Sequence, residues 1–173
     1  MLGFIQKLFG GSKSEKDVKS IQPIVAQVNG YFVAYQSLTN DQLRAKTGEF
    51  KARIQQHLQA INAEIEQLNA SAEALSFSDF VSKDNIYQEV DILKKKRNDE
   101  IEAILKEIAP EAFAVVKETG RRFSQNDVLV SGVTELDRQL AVNHDYVRIE
   151  NDQTHFKNTW TAGGGTISWN MVH

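Results

Sequence analysis

The sequence contains no cysteine, which removes several chemistries at once: disulfide scaffolds, thiolate zinc sites, cysteine nucleophiles and iron–sulfur ligation. Only two prolines occur in 173 residues, which favours long helices over a turn-rich sandwich. No apolar run approaches the ~20 residues that a membrane span needs. Nor is there an excess of basic charge. Twenty Lys and Arg stand against 23 Asp and Glu, a net −3, which excludes a globally basic nucleic-acid binder but not a local basic patch. What is present, 41% hydrophobic and 25% charged residues, describes a soluble globular chain of ordinary single-domain size. The absence of cysteine fits a cytoplasmic location.

The charge is unevenly placed. Residues 1–22 hold four lysines (Lys7, Lys13, Lys16, Lys19) against Glu15 and Asp17, a local +2, which leaves −5 for the remainder. A basic tip on an acidic body suggests that the tip meets something anionic. Residues 1–12 read as a short amphipathic tail. On a helical wheel Leu2, Phe4, Ile5, Leu8 and Phe9 fall in one arc, Gln6 and Lys7 fall outside it, and Gly10, Gly11 and Ser12 form a breaker. Two uses remain open: a terminal helix docked on protein, or an interfacial anchor whose lysines face anionic headgroups.

Residues 13–123 read as helical. Ser14 is a candidate N-cap for a segment over 14–37 that Pro23 ends or kinks, and Thr39 or Asn40 caps a longer helix. In that helix Phe50, Ile54, Leu58, Ile61, Ile65, Leu68, Ala72 and Leu75 recur at steps of three and four, a coiled-coil seam from Ile54 onward. Ser76–Asp84 interrupts it. A second seam follows through Ile86, Val90, Leu93, Ile101, Ile104 and Ile108, with Arg97 in an apolar position. Two seams of similar length joined by a polar break predict an antiparallel helical hairpin over about 55–108. The run Lys94–Arg97 reads as a solvated face, with binding of an acidic partner or nucleic acid as the minority reading. Pro110 is expected to start a new helix or kink the old one. Phe113, Val115, Val116 and Phe123 are its expected buried positions, and Gly120, Arg121 and Arg122 its expected end.

Over 124–173 the period changes to two, and a small antiparallel β-meander is expected. Its strands are a short one at Val128–Val130, then Tyr146–Ile149, Thr154–Trp160 and Thr166–Val172, with turns at Glu150–Asp152 and Ala162–Gly165. The fold class is therefore α+β: long helices with a hairpin, then the meander. The four histidines (His57, His144, His155, His173) have no partner at metal-ligand spacing, so no metal and no catalytic residue is assigned. Gly163-Gly164-Gly165-Thr166 lacks the Lys of a phosphate-binding GxxxxGK[ST] loop and reads as a hairpin turn.

Read in order, MLGFIQKLFG, SEKDVKSIQPIVAQVN, LTNDQLRAKTGEFKARI and PEAFAVVKETGRR closely resemble the amino-terminal region of the SecA family, the ATP-driven motors of bacterial protein export. The match covers residues 1 to about 55 and 107–123, and SWNMVH resembles the run leading into the family's adenine-recognition segment. The hairpin and the long stretch from Ser124 to Trp169 resemble insertions of a longer SecA subgroup.

The resemblance implies a fragment that opens a larger P-loop α/β motor and stops before its nucleotide site. ATP and magnesium are then cofactors of the parent and none belongs to this chain, which should not hydrolyse ATP alone. It implies a membrane- and channel-contacting tail (Leu2, Phe4, Ile5, Lys7, Leu8, Phe9), a packing role for Glu111, Phe113, Val115 and Val116, and a place for Met171 at the edge of the adenine pocket. Implied partners are the SecYEG channel, preproteins and acidic phospholipids, with a homodimer compatible and no nucleic acid. The implied location is cytoplasmic, peripheral on the inner face of the cytoplasmic membrane. The alternative is a non-catalytic helical-hairpin interaction module tethered to a membrane or partner.

Overall fold

The computed structural model describes residues 13–169. The N-terminal tail and Met171 therefore lie outside the described residues. Contacts divide the chain into two units, residues Ala45–Ala109 forming one, and the residues up to Arg44 together with those from Pro110 the other.

Two helices pass through the first unit: α2 (Asn40–Ala74) and α3 (Phe80–Gln125). Between Ala45 and Ala109 they form the expected antiparallel hairpin. Leu58, Ile61, Ile65 and Val90 are buried, with Ile54, Leu68, Ile86, Leu93 and Ile101 packed around them. Seam residues meet because steps of three and four keep one stripe of each helix facing the other. The antiparallel register shows in the polar contacts between the helices. Arg53 pairs with Glu107 and His57 Nε2 hydrogen-bonds Glu100, both at 2.8 Å, so advancing along one helix means retreating along the other. The connection is shorter than the polar break predicted. Asp79 N–H donates to the Ser76 carbonyl, and the Asp79 carbonyl accepts the first bond of α3 from Lys83 N–H, each at 3.1 Å. Phe80–Asp84 is thus already helical.

Arg97 does occupy the seam, half-buried. Its Nε is buried and has no hydrogen-bond partner among the described residues. A desolvated donor without a partner destabilises by about 1–3 kcal/mol. Arg97→Leu should therefore stabilise the hairpin by about 1 kcal/mol, read as a higher urea midpoint at unchanged slope. A midpoint that falls would contradict this account of the seam.

The second unit opens with α1 (Lys13–Tyr35), which corrects two expectations. Ser14 lies inside the helix and not at its cap, and Pro23 neither ends it nor divides it. Proline withholds the bond to the carbonyl four residues earlier. That carbonyl belongs to Lys19, on a stretch exposed throughout and so open to solvent, which lowers the cost of the missing donor. The same holds at Pro110, which lies within unbroken α3, four residues after exposed Lys106. Thr39 caps α2 reciprocally: its N–H donates to Gln42 Oε1 at 2.8 Å, and its hydroxyl accepts from Gln42 N–H at 3.2 Å. Tyr35, Leu43 and Ala114 form the core here, with Val28, Phe32, Leu38 and Val115.

Two further expectations for α3 fail. Phe113 and Val116 are 61% and 68% exposed, while the buried face carries Ala114, Glu118 and Arg122. The positions step by four, so a helical face is buried, but a charged pair occupies it where apolar residues were expected. The helix also runs past Gly120–Arg122 to Gln125. Glu118 pairs with Arg121 and Arg122 at 2.7 Å, and such i,i+3 and i,i+4 pairs hold the last turns together.

The strands are β1 (Val128–Gly132), β2 (Val147–Glu150), β3 (Gln153–Lys157), β4 (Thr159–Ala162) and β5 (Gly165–Ser168). β3 is central in an antiparallel sheet of order β1-β3-β2, and β4 and β5 form a separate hairpin. The α+β reading holds, with three corrections. A helix, α4 (Glu135–Asn143), connects β1 to β2 where no helix was expected. The expected strand Thr154–Trp160 is divided at Asn158, whose N–H donates to the Asp127 carbonyl at 2.9 Å and whose carbonyl accepts from Trp169 N–H at 3.0 Å. Asp127 and Trp169 are the next partners in the registers of β1–β3 and β4–β5, so Asn158 is the point at which the chain passes from one ladder to the other. The last strand ends at Ser168, before Trp169, and residues 170–172 of the expected Thr166–Val172 lie outside the described residues. Both hairpin turns use two left-handed residues, Asn151-Asp152 at φ 51° and 58° and Gly163-Gly164 at 58° and 80°. This is the geometry that matches strand twist, and it places the glycine run in a turn, as read from the sequence.

Candidate functional site

The polar side chains of the second unit converge at two buried carboxylates, both serving to join elements. The first is Asp137 on α4, 1% exposed. Thr134 caps α4 in a capping box: Thr134 N–H donates to Asp137 Oδ2 at 2.8 Å, and Asp137 N–H donates to Thr134 Oγ1 at 3.3 Å. Thr154 Oγ1, on β3, donates to the same Oδ2 at 3.0 Å. Arg44, on α2, donates to Asp137 Oδ1 at 2.7 Å and to the Gly132 carbonyl at 3.0 Å, and its guanidinium lies 5.4 Å from the centre of the Phe156 ring. Two neighbours in the first turn of α2 extend the seam along β1. Asn40 Nδ2 donates to the Val130 carbonyl at 2.8 Å, and Asp41 Oδ1 accepts from Gly132 N–H at 2.7 Å.

The second carboxylate is Glu118, fully buried. Arg121 binds it through two nitrogens at 2.7 Å, and Arg122 Nε donates to it at 2.7 Å. Arg122 then donates to Asn40 Oδ1 and the Leu38 carbonyl at 2.7 Å and to the Tyr35 carbonyl at 3.2 Å. The end of α1, the α1–α2 connection and the start of α2 are thereby attached to one side chain of α3.

Both carboxyls titrate below their ordinary values. At Glu118 the Arg121 hydrogen bonds are the largest influence; burial opposes them and Arg122 adds to them. At Asp137 burial is the largest single influence and pushes upward, but the hydrogen bonds from Arg44, Thr134 and Thr154 together outweigh it. Both groups are therefore charged at neutral pH and fully engaged, which suits a clasp and not proton transfer. A carboxyl whose folded pKa is depressed adds stability above its unfolded value and loses it as pH falls through the folded value. Stability should therefore decline below about pH 4.5. Asp137→Asn should remove about 3 kcal/mol at neutral pH and make the acid decline shallower, both read from urea unfolding. An acid decline of unchanged depth in the variant would contradict the assignment.

The third feature is an aromatic cleft of about 300 Å³ lined by Phe123, Tyr146, Phe156, Lys157, Trp160 and Trp169. Phe123 stacks on Trp169 with centroids 5.3 Å apart, and Trp160 meets Trp169 edge-on at 5.9 Å. Met171 follows Trp169 by two residues in the sequence but lies outside the described residues, as do Leu2, Phe4, Ile5, Lys7, Leu8 and Phe9. Of the residues assigned a packing role, Glu111 accepts from the Tyr35 hydroxyl at 3.1 Å and Val115 packs in the core. Among the described residues no group of His, Asp and Glu is placed to hold a metal ion, and no helix is long and apolar enough to cross a membrane. The sequence reading missed Arg44, Glu118, Arg122 and Asp137. The Thr134–Asp137 spacing was a legible capping signal, whereas nothing local marks Glu118 as buried.

Comparison with known proteins gives one answer. The SecA DEAD-like domain family matches residues 5–145. The protein translocase subunit SecA of Christiangramia forsetii is 42% identical over 172 residues, covering 99% of this chain and 15% of that protein. Those of Porphyromonas gingivalis and Flavobacterium psychrophilum are each 40% identical, covering 98% of this chain and 15% of their own length. The chain thus spans about 15% of the curated relatives it matches. No solved structure gives a significant match. With most of its length matched by the family and by these relatives, the chain belongs to the SecA DEAD-like domain family.

Proposed function

We propose that this chain forms the N-terminal part of an ATP-driven motor that pushes preproteins through the SecYEG channel, working on the inner face of the cytoplasmic membrane. The observation that carries the reading is the extent of the likeness: nearly the whole chain aligns with proteins named as translocase subunits, across the hairpin as well as the outer segments. In this reading residues 1–12 are the tail, with Leu2, Phe4, Ile5, Leu8 and Phe9 entering the lipid–water boundary and Lys7 facing acidic headgroups. Residues 13–123 are scaffold with the inserted hairpin, and 124–173 lead into a nucleotide-binding domain, with Met171 at the adenine edge. The two buried clasps support a scaffold role, since they fix α1, α2, α3 and the sheet by charge-assisted bonds. The stand-alone hairpin module lacks comparable support.

ATP and magnesium are assigned to the parent and not to these residues. The sequence has no GxxxxGK[ST] loop, and among the described residues no group of His, Asp and Glu is placed to hold a metal ion.

A chimera tests the reading. In the Christiangramia forsetii relative, the aligned 172-residue segment is replaced by this chain, and protease-protected preprotein is measured in inverted membrane vesicles. ATP-dependent protection close to that of the unmodified relative is expected. Leu8→Glu in the chimera should lower protection and weaken binding to anionic vesicles, more so in added salt. A chimera that folds and hydrolyses ATP but protects no preprotein would contradict the proposal.

A further inference from the structure

The hairpin connection carries apolar side chains that its core does not use. Phe77, Phe80 and Val81 are 82%, 62% and 77% exposed, and the two phenylalanine rings meet edge to face with centroids 5.3 Å apart. The turn does not need them. Backbone bonds at Asp79 close it, and the Ser76 and Ser78 hydroxyls bond each other at 3.0 Å. The backbone bonds close the turn without burying these side chains, so most of their apolar surface is left facing outward.

The surroundings have one sign. From Asn69 to Glu89 the charges are Glu73, Asp79, Asp84 and Glu89 against Lys83 alone, a net −3. All four acids are exposed. An apolar tip flanked along the chain by net negative charge repels an anionic lipid surface, and it repels the same tip on a second copy. Its complement is a chain that offers apolar groups beside positive ones, where phenylalanine faces add attraction for cations.

We propose that the hairpin tip is a docking surface for a polypeptide segment that carries apolar side chains next to lysines or arginines. Phe77 and Phe80 are its anchors, and Asp79 and Asp84 select the basic flank. Three apolar side chains cover far less than the roughly 800 Å² per partner of a stable interface, so the contact is weak and exchanges rapidly. The inference goes beyond the translocase reading and does not depend on it.

The test uses the full chain and a fluorescein-labelled peptide of three lysines followed by a leucine–alanine stretch, followed by fluorescence anisotropy. Saturable binding is expected. The double variant Phe77→Ser/Phe80→Ser should weaken it about tenfold or more. The double variant Asp79→Lys/Asp84→Lys should weaken it several-fold, and raising salt from about 50 to about 300 mM should reduce wild-type binding. All four positions are exposed, so both variants should keep the wild-type melting temperature. A peptide with glutamates in place of its lysines should bind poorly. Equal binding by wild type and the phenylalanine variant, or no saturable binding, would overturn the proposal. So would phenylalanine-dependent binding to vesicles in place of the peptide, or phenylalanine-dependent self-association.

Discussion

The second unit depends on keeping a carboxylate charged where no water reaches it. Glu118 is fully buried on α3, and an isolated charge there would be expensive enough to protonate or to open the structure. Arg121 and Arg122 lie three and four residues on, so the helix itself delivers the counter-charge. Arg122 then has donors left, and their acceptors are the last carbonyls before α2 and the side chain of Asn40. Once those are held, the first turn of α2 is placed. Asn40, Asp41 and Arg44 then lie against β1 and the start of α4. The second clasp at Asp137 is thus reached through the first, by way of one helical turn.

This order of dependence explains which features could be read from the sequence. The hairpin was legible because burial follows a period: Leu58, Ile61, Ile65 and Val90 are apolar and inward-facing for the same reason. The Thr39 cap and the Gly163-Gly164 turn were legible because each rests on chemistry local to a few residues. Phe113 and Val116 misled because apolar character was taken as burial, while the buried face of α3 carries a charged pair. The arginines three and four residues after Glu118 are a legible helical pairing, but nothing near Glu118 in the sequence says that the pairs are buried and not on a solvated face. α4 was missed although Thr134 and Asp137 have capping-box spacing, because the alternating segments on either side dominated the pattern. Pro23 and Pro110 were read as breaks on their covalent chemistry alone, which omits the water available to the carbonyls they leave unpaired.

The same architecture fits the proposed role. A motor transmits force through parts that do not yield, and charge-assisted bonds in a dry interior are directional in a way that apolar packing is not. The unit that contains the clasps also contains the aromatic cleft, so its walls, Phe123 on α3 and Phe156 on β3, are positioned by the elements the clasps join. The hairpin is built differently. Its stability rests on an apolar seam with exposed ion pairs at its flanks, and its exposed tip has no part in that seam.

The central claim is that Glu118 and Arg122 act as one unit holding α1 and α2 to α3. A double-mutant cycle tests it most directly, using Glu118→Gln, Arg122→Met and the pair, with stability measured by urea unfolding. The account predicts a coupling of about 2 kcal/mol or more, the double variant being far less destabilised than the two single losses combined. Single losses that add to within about 0.5 kcal/mol would contradict it.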